Sequence, residues 1–124
     1  MKGKGMRYVT KKSKRNDAYR GGATRDARQG KGRFDLITPI ALTRLAGVYE
    51  RGGIHRGDRN WEKGIPLSRF LDSALRHLSQ YLEGYRDEDH LAQAAWNIFG
   101  LIHTEEMIRR GKLPKSLNDL PKYR

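Results

Sequence analysis

Between Pro66 and Arg110 the chain carries two long runs of helix-spaced apolar residues, separated only by Gly84 and a short acidic stretch. In the first, Leu67, Phe70, Leu71, Ala74, Leu75, Leu78, Tyr81 and Leu82 recur at three- and four-residue intervals. In the second, Leu91, Ala94, Ala95, Ile98, Leu101 and Ile102 do the same. At about 100° per residue each run forms one broad stripe on a helix, and so short a link obliges the two helices to run antiparallel. Gly84 supplies the C-terminal stop of the first, near Glu83. Asp87, Glu88 and Asp89 suit the positive end of the second, which runs to Arg109-Arg110 before Gly111.

A third, shorter helix opens at Thr38-Pro39, because Thr can cap orphan amides and Pro at the first helical position loses no needed donor. Leu42, Leu45, Ala46 and Tyr49 give it an apolar stripe, and Gly52-Gly53 is expected to close it. No repeat or strand signal stands out. The expected fold class is all-α, a helix bundle of three main helices. The two long stripes are wider than one short helix can cover, so the bundle is expected to be completed by homo-oligomerisation, as a dimer or tetramer.

Charge divides the chain further. The net charge of +12 is concentrated in residues 1–33, which hold 12 Lys and Arg against 2 Asp; the remaining 91 residues hold 14 basic and 12 acidic side chains. Residues 1–33 therefore read as a basic flexible N-terminal arm, 34–111 as a helical domain and 112–124 as a C-terminal tail. The arm is either a solubilising segment or a weak, salt-sensitive contact to nucleic-acid phosphates. With no cysteine there is neither a disulfide framework nor a thiolate metal site. No apolar run is long enough for a secretory signal or a membrane span, and the expected location is the cytoplasm.

The stretch between the first two helices, Gly52 to Pro66, is rich in glycine and long for a small domain, and long ordered loops are disproportionately functional. It carries Arg59, Asn60, Trp61 and Lys63: a donor fork, an amide, an aromatic face and a cation. Arg69 and Arg76 share a face of the following helix and could grip a polyphosphate, although an exposed arginine is more often simply solvated. His77, His90 and Asn97 border apolar stripes on adjacent helices, where a hydrogen-bonded structural histidine is the commoner outcome and metal ligation the sharper one. Glu83, Asp87, Glu88 and Asp89 are caps or an oxygen-rich set of the kind Mg²⁺ or Mn²⁺ takes beside phosphates. There is no P-loop, HExxH, Cys/His zinc pattern or nucleophile elbow.

Several of these motifs occur together in one family. The entry Lys31, Arg33, Phe34, Asp35, Leu36, the loop Gly57, Arg59, Asn60, Trp61, Gly64, the pair Arg76-His77, and His90, Leu91, Ala92 with Asn97 resemble the phage and bacterial dATP/dGTP diphosphohydrolase N-terminal domains, grouped with the MazG-like all-α nucleotide pyrophosphatases. The resemblance implies metal-dependent hydrolysis of a purine deoxynucleoside triphosphate to monophosphate and pyrophosphate, with Mg²⁺ or Mn²⁺ as cofactor, in a phage-infected or bacterial cytoplasm. It implies Arg59, Asn60, Trp61, Lys63, Arg69, Arg76 and Asn97 on the substrate, and Glu83, Asp87, His77 and His90 in catalysis. The chain lacks the family's E-E-x-x-E and E-x-x-D strings. Either Glu50, Glu83, Asp87 and Asp89 supply metal-binding carboxylates from other positions, or the protein holds a nucleotide without cutting it, as a phage sponge sequesters a host signal.

Overall fold

The structure is a computed structural model and describes residues 15–124. The first fourteen residues of the basic arm lie outside the described residues. Contacts divide the rest into two compact units, 15–38 and 39–124. In the first, strands β1 (Asn16–Ala18) and β2 (Thr24–Asp26) pair antiparallel with Asp17 opposite Arg25. The ladder is extended by the Ala27 amide donating to the Arg15 carbonyl at 2.9 Å, and the Asp17 carboxylate accepts the Arg28 amide at 3.1 Å. Part of the segment expected as a loose arm thus has regular structure, and the expectation of no strand is corrected. Strands of three residues, NDA and TRD, are too short to show a period of two.

The second unit holds three helices: α1 (Pro39–Arg56), α2 (Leu67–Glu83) and α3 (His90–Arg109). The all-α expectation is met. Gly84 ends α2 in the left-handed conformation (φ 99°), with its amide on the Tyr81 carbonyl, a geometry that a side chain would strain. Asp89 caps α3, its carboxylate accepting the Ala92 amide at 3.1 Å. The helix α1 does not stop at Gly52-Gly53. It runs one turn further, and the Gly57 amide bonds to the Gly53 carbonyl at 2.9 Å. A glycine pair weakens a helix but does not end one whose next turn can bond.

The core lies where α1, α2 and α3 meet: Leu45 and Val48 from α1, Leu67, Phe70 and Ala74 from α2, and Ala92 and Ala94 from α3 are buried. Phe70 and Tyr49 both pack against Trp96, at ring separations of 6.0 Å. Leu42 and Ala46, placed in the stripe of α1 by spacing, are exposed. On α3 the buried line runs through His90, Ala94, Asn97, Gly100 and Thr104, leaving Ile98 and Ile102 outside. Each stripe is wider than the face the monomer buries, so periodicity alone did not select its inner edge.

Two contacts fix this arrangement. Gly100 lets α2 and α3 approach: a Cβ there would come under 3.0 Å from three atoms of the Phe70 ring. Arg44 of α1 forks onto both oxygens of Asp89, at 2.8 and 2.6 Å, tying α1 to the start of α3. Gly100→Ala is therefore expected to destabilise the protein by about 2 kcal/mol in urea unfolding, as overpacked cores do. Arg44 holds the Asp89 carboxyl down at about 2, below its ordinary 3.8. The folded state thus binds that proton less readily, and the stability from the pair is complete above about pH 4 and lost as pH falls towards 2. Asp89→Asn should flatten the acid limb of the melting-temperature profile in that window; an unchanged limb would show that the pair adds no stability.

Candidate functional site

The last turns of α1, the loop after it and the turn before α3 enclose a cleft of about 880 Å³ within residues 39–124. Because α1 continues through Gly52 and Gly53, the helix carries His55 and Arg56 as well as Arg51 to the cleft, and Gly52, with nothing within 4 Å of where a Cβ would stand, leaves bare backbone in that wall. Asp58 folds back so closely that a Cβ on Gly53 would meet its Oδ1 at 2.5 Å. Arg59 follows in the left-handed region (φ 60°), rare for a residue with a side chain and characteristic of functional loops. Its guanidinium, 78% exposed, is steadied by Glu62 at 2.8 Å. The following turn of 3-10 helix, Asn60–Lys63, sets Asn60 and Trp61 into the cleft. Trp61 is wedged edge-on between Tyr49 (5.9 Å) and His103 (4.8 Å), and Trp96 of α3 lines the same space.

The acids come from the α2–α3 turn. Asp87, Glu88 and Asp89 all line the cleft, but their states differ. Both oxygens of Asp89 are engaged by Arg44, so it is a tether and cap rather than a free ligand. Asp87 accepts a hydrogen bond from His90 Nε2 at 2.9 Å, which lowers its pKa. Glu88 accepts from the Gln93 amide at 3.2 Å. His90 is 2% exposed, and its Nδ1 lies 3.0 Å from His77 Nδ1. One proton is shared between these two nitrogens. If Nε2–H of His90 donates to the Asp87 carboxylate, a neutral His90 must accept at Nδ1, so His77 donates from its own Nδ1. Burial lowers the His77 pKa, consistent with a neutral ring. Asp87, His90 and His77 therefore form a continuous hydrogen-bonded chain leading from the cleft into the α2–α3 interface.

One ligand atom each from Asp87, Glu88 and His90 lie within 4.8 Å of one another. The two exposed carboxylates are hard donors that could hold a divalent ion of the Mg²⁺ or Mn²⁺ kind, whereas both ring nitrogens of His90 are engaged, so it orients Asp87 rather than offering a ligand atom.

Of the residues singled out from sequence, the cleft brings together Arg59, Asn60, Trp61, Asp87 and Asp89. Glu50, Lys63, Arg69, Arg76, Glu83 and Asn97 do not line it. Arg76 is on the outer face of α2, bonded to Asp72 at 3.0 Å and to Ser73 at 3.3 Å. Asn97 is buried and donates to the Gln93 carbonyl at 2.8 Å, which is a structural use of its amide. His77 reaches the site only through His90. The residues that spacing missed are Arg51, His55, Arg56, Gln93 and Trp96. Ending α1 at Gly52 leaves His55 and Arg56 in a loop; continuing it by one turn groups them with Arg51 on one helix.

No curated protein and no solved structure matches the chain. The family described as dATP/dGTP diphosphohydrolase, N-terminal, matches residues 21–112, which hold β2, all three helices, the arginine-bearing end of α1 and the acidic turn. With the match covering most of the chain and every element of the cleft, the protein belongs to the dATP/dGTP diphosphohydrolase N-terminal family.

Proposed function

We propose that the cleft binds a purine deoxynucleoside triphosphate and hydrolyses it to monophosphate and pyrophosphate. The observation that carries this reading is the meeting of Arg51, Arg56 and Arg59 with Asp87 and Glu88 around one cleft that also holds two tryptophans. Guanidiniums stay charged at any working pH and match phosphate oxygens two donors at a time. Trp61 and Trp96 supply aromatic surface for the base, and the amides of Asn60 and Gln93 supply hydrogen bonds to its edge. A divalent ion held by Asp87 and Glu88 would neutralise phosphate charge and lower the pKa of a bound water. The water oxygen bonds to the α-phosphorus as the bond from that phosphorus to the bridging oxygen breaks, and pyrophosphate leaves. The water's proton passes to the Asp87 carboxylate, which the His90 Nε2–H holds in place from the protein side.

A second reading is favoured by one specific observation. Asp89 is bound to Arg44, and Glu50 and Glu83 do not line the cleft, so among the described residues two carboxylates without an arginine partner, Asp87 and Glu88, stand there. A site with that few acids suits a protein that sequesters its nucleotide intact. Purified protein incubated with dATP or dGTP and Mg²⁺ or Mn²⁺ is expected to release pyrophosphate. Arg51→Ala should raise KM about tenfold, and Asp87→Asn with Glu88→Gln should stop turnover without loss of helical signal. No pyrophosphate, with intact nucleotide recovered after heat denaturation, would decide for sequestration.

The same reading includes a second copy of the chain. Leu71, Leu75, Leu78 and Leu82 on α2, and Leu91, Ala95, Ile98 and Ile102 on α3, repeat at one spacing of four, three and four residues. Leu75 (58%), Ile102 (59%) and Leu82 (87%) are largely exposed. Ile98 points about 160° away from Trp96, the side chain that meets α1, so α1 leaves this face bare. Six of the eight stripe residues, Leu75, Leu78, Leu82, Leu91, Ile98 and Ile102, are exposed, and a contiguous apolar patch of this kind marks an interaction surface. The stripe positions carry no charge, and residues 34–124 are nearly neutral, so two copies do not repel. An antiparallel helix pair with matching spacing is what the chain itself offers. Light scattering is expected to give a dimer or tetramer, and Leu82→Glu with Ile102→Glu a folded monomer. A wild-type monomer would leave the face without this role.

A further inference from the structure

The helix α2 begins without a cap of its own. Its N-cap residue is Pro66, whose side chain makes no hydrogen bond, and local sequence offers no substitute. The cap comes instead from 51 residues downstream: the Asp119 carboxylate accepts the Ser68 amide at 2.9 Å and the Ser68 hydroxyl at 2.5 Å. The segment carrying Asp119 is ordered by a turn of 3-10 helix, Lys115–Leu117, in which the Leu117 amide bonds to the Pro114 carbonyl at 3.1 Å. Two of its side chains close on the end of the cleft loop. A Cβ on Gly64 would meet Leu117 Cδ1 at 3.2 Å and Leu113 Cδ2 at 3.6 Å. Gly64 itself has φ 111°, a backbone conformation that side chains rarely adopt, so glycine suits the position.

The loop that presents Arg59, Asn60 and Trp61 is thus held at three places. Gly57 is bonded to the end of α1, Trp61 is wedged between Tyr49 and His103, and Gly64 to Ser68 is clasped by residues 113–119. The first two anchors lie within the residues that match the family, whereas Leu113, Leu117 and Asp119 lie beyond residue 112, where that match ends. We infer that the C-terminal segment Leu113–Asp119 is a positioning element for the nucleotide-binding loop, with Asp119 and Leu117 setting the pose of Asn60 and Trp61 from outside the cleft. The inference rests on the reading of the cleft as a nucleotide site, and its structural half stands without it. Without the clasp the loop keeps its anchors at Gly57 and Trp61 but its far end is free, and it samples poses in which its amide and ring meet the ligand less well, so loosening the clasp weakens binding and spares the reacting groups.

Amide hydrogen exchange over Gly57–Ser68 in the ligand-free full chain tests the clasp, and nucleotide kinetics test its consequence. Asp119→Ala and Leu117→Ala are each expected to speed exchange in that stretch about fivefold, the effect of losing a cap, with exchange in α3 unchanged. They should raise KM for the nucleotide several-fold and leave kcat alone. Asp119→Asn, which keeps an acceptor for the Ser68 amide, should recover most of both effects. Unchanged loop exchange in Asp119→Ala overturns the inference, as does a fall in kcat at constant KM. A wild-type protein with no affinity for nucleotide would instead overturn the reading of the cleft, and the exchange result would still decide whether the segment clasps the loop.

Discussion

The fork between Arg44 and Asp89 is the contact on which the site depends. It joins the first half of α1 to the cap of α3, and two further turns along α1 lie Arg51, His55 and Arg56. A single charge-assisted pair therefore sets the distance between the cationic end of one helix and the acidic turn that starts another. Asp89 is consumed in the process. Its neighbours Asp87 and Glu88, on the same turn and free of arginine, are left facing the cleft. Three consecutive acids have separate uses because of what each one touches.

Function follows from charges of both signs being held apart. In a surface cluster of arginines and carboxylates the groups usually pair and neutralise each other. Here Asp89 satisfies Arg44 and Glu62 steadies Arg59, while Gly52, with nothing within 4 Å of where a Cβ would stand, leaves its part of the cleft wall open. A polyphosphate with a divalent ion has the complementary pattern, anionic towards the arginines and cationic towards the acids. His90 stands behind Asp87 as its buried hydrogen-bond donor, so that the carboxylate is oriented from the protein side.

Much of the fold was legible because helix periodicity, glycine stops and acidic starts agree. Gly84 and Asp89 end α2 and begin α3 where composition placed them. The stripes are too wide to show which edge the monomer buries, and Ile98 and Ile102, members of the α3 stripe, face outwards. The site was half legible. Arg59, Asn60 and Trp61 stand out in a glycine-bounded loop, yet His55 and Arg56 are hidden by a helix that crosses two glycines. Arg76 and Asn97 matched a family motif by identity, while their partners, Asp72 and the Gln93 carbonyl, become visible only once the helices are folded. The cap supplied by Asp119 has no local signal at all, since its partner is 51 residues away.

The measurement that bears most directly on this account is a heteronuclear NMR titration of the full chain with dATP in the presence of Mg²⁺, following the two tryptophan indoles and the backbone amides. The account predicts that both indoles and the amides of residues 51–61 and 87–93 shift together and saturate, while the outer face of α2 around Arg69 and Arg76 stays silent. Shifts centred on that outer face, or none in the cleft at millimolar nucleotide, would contradict it.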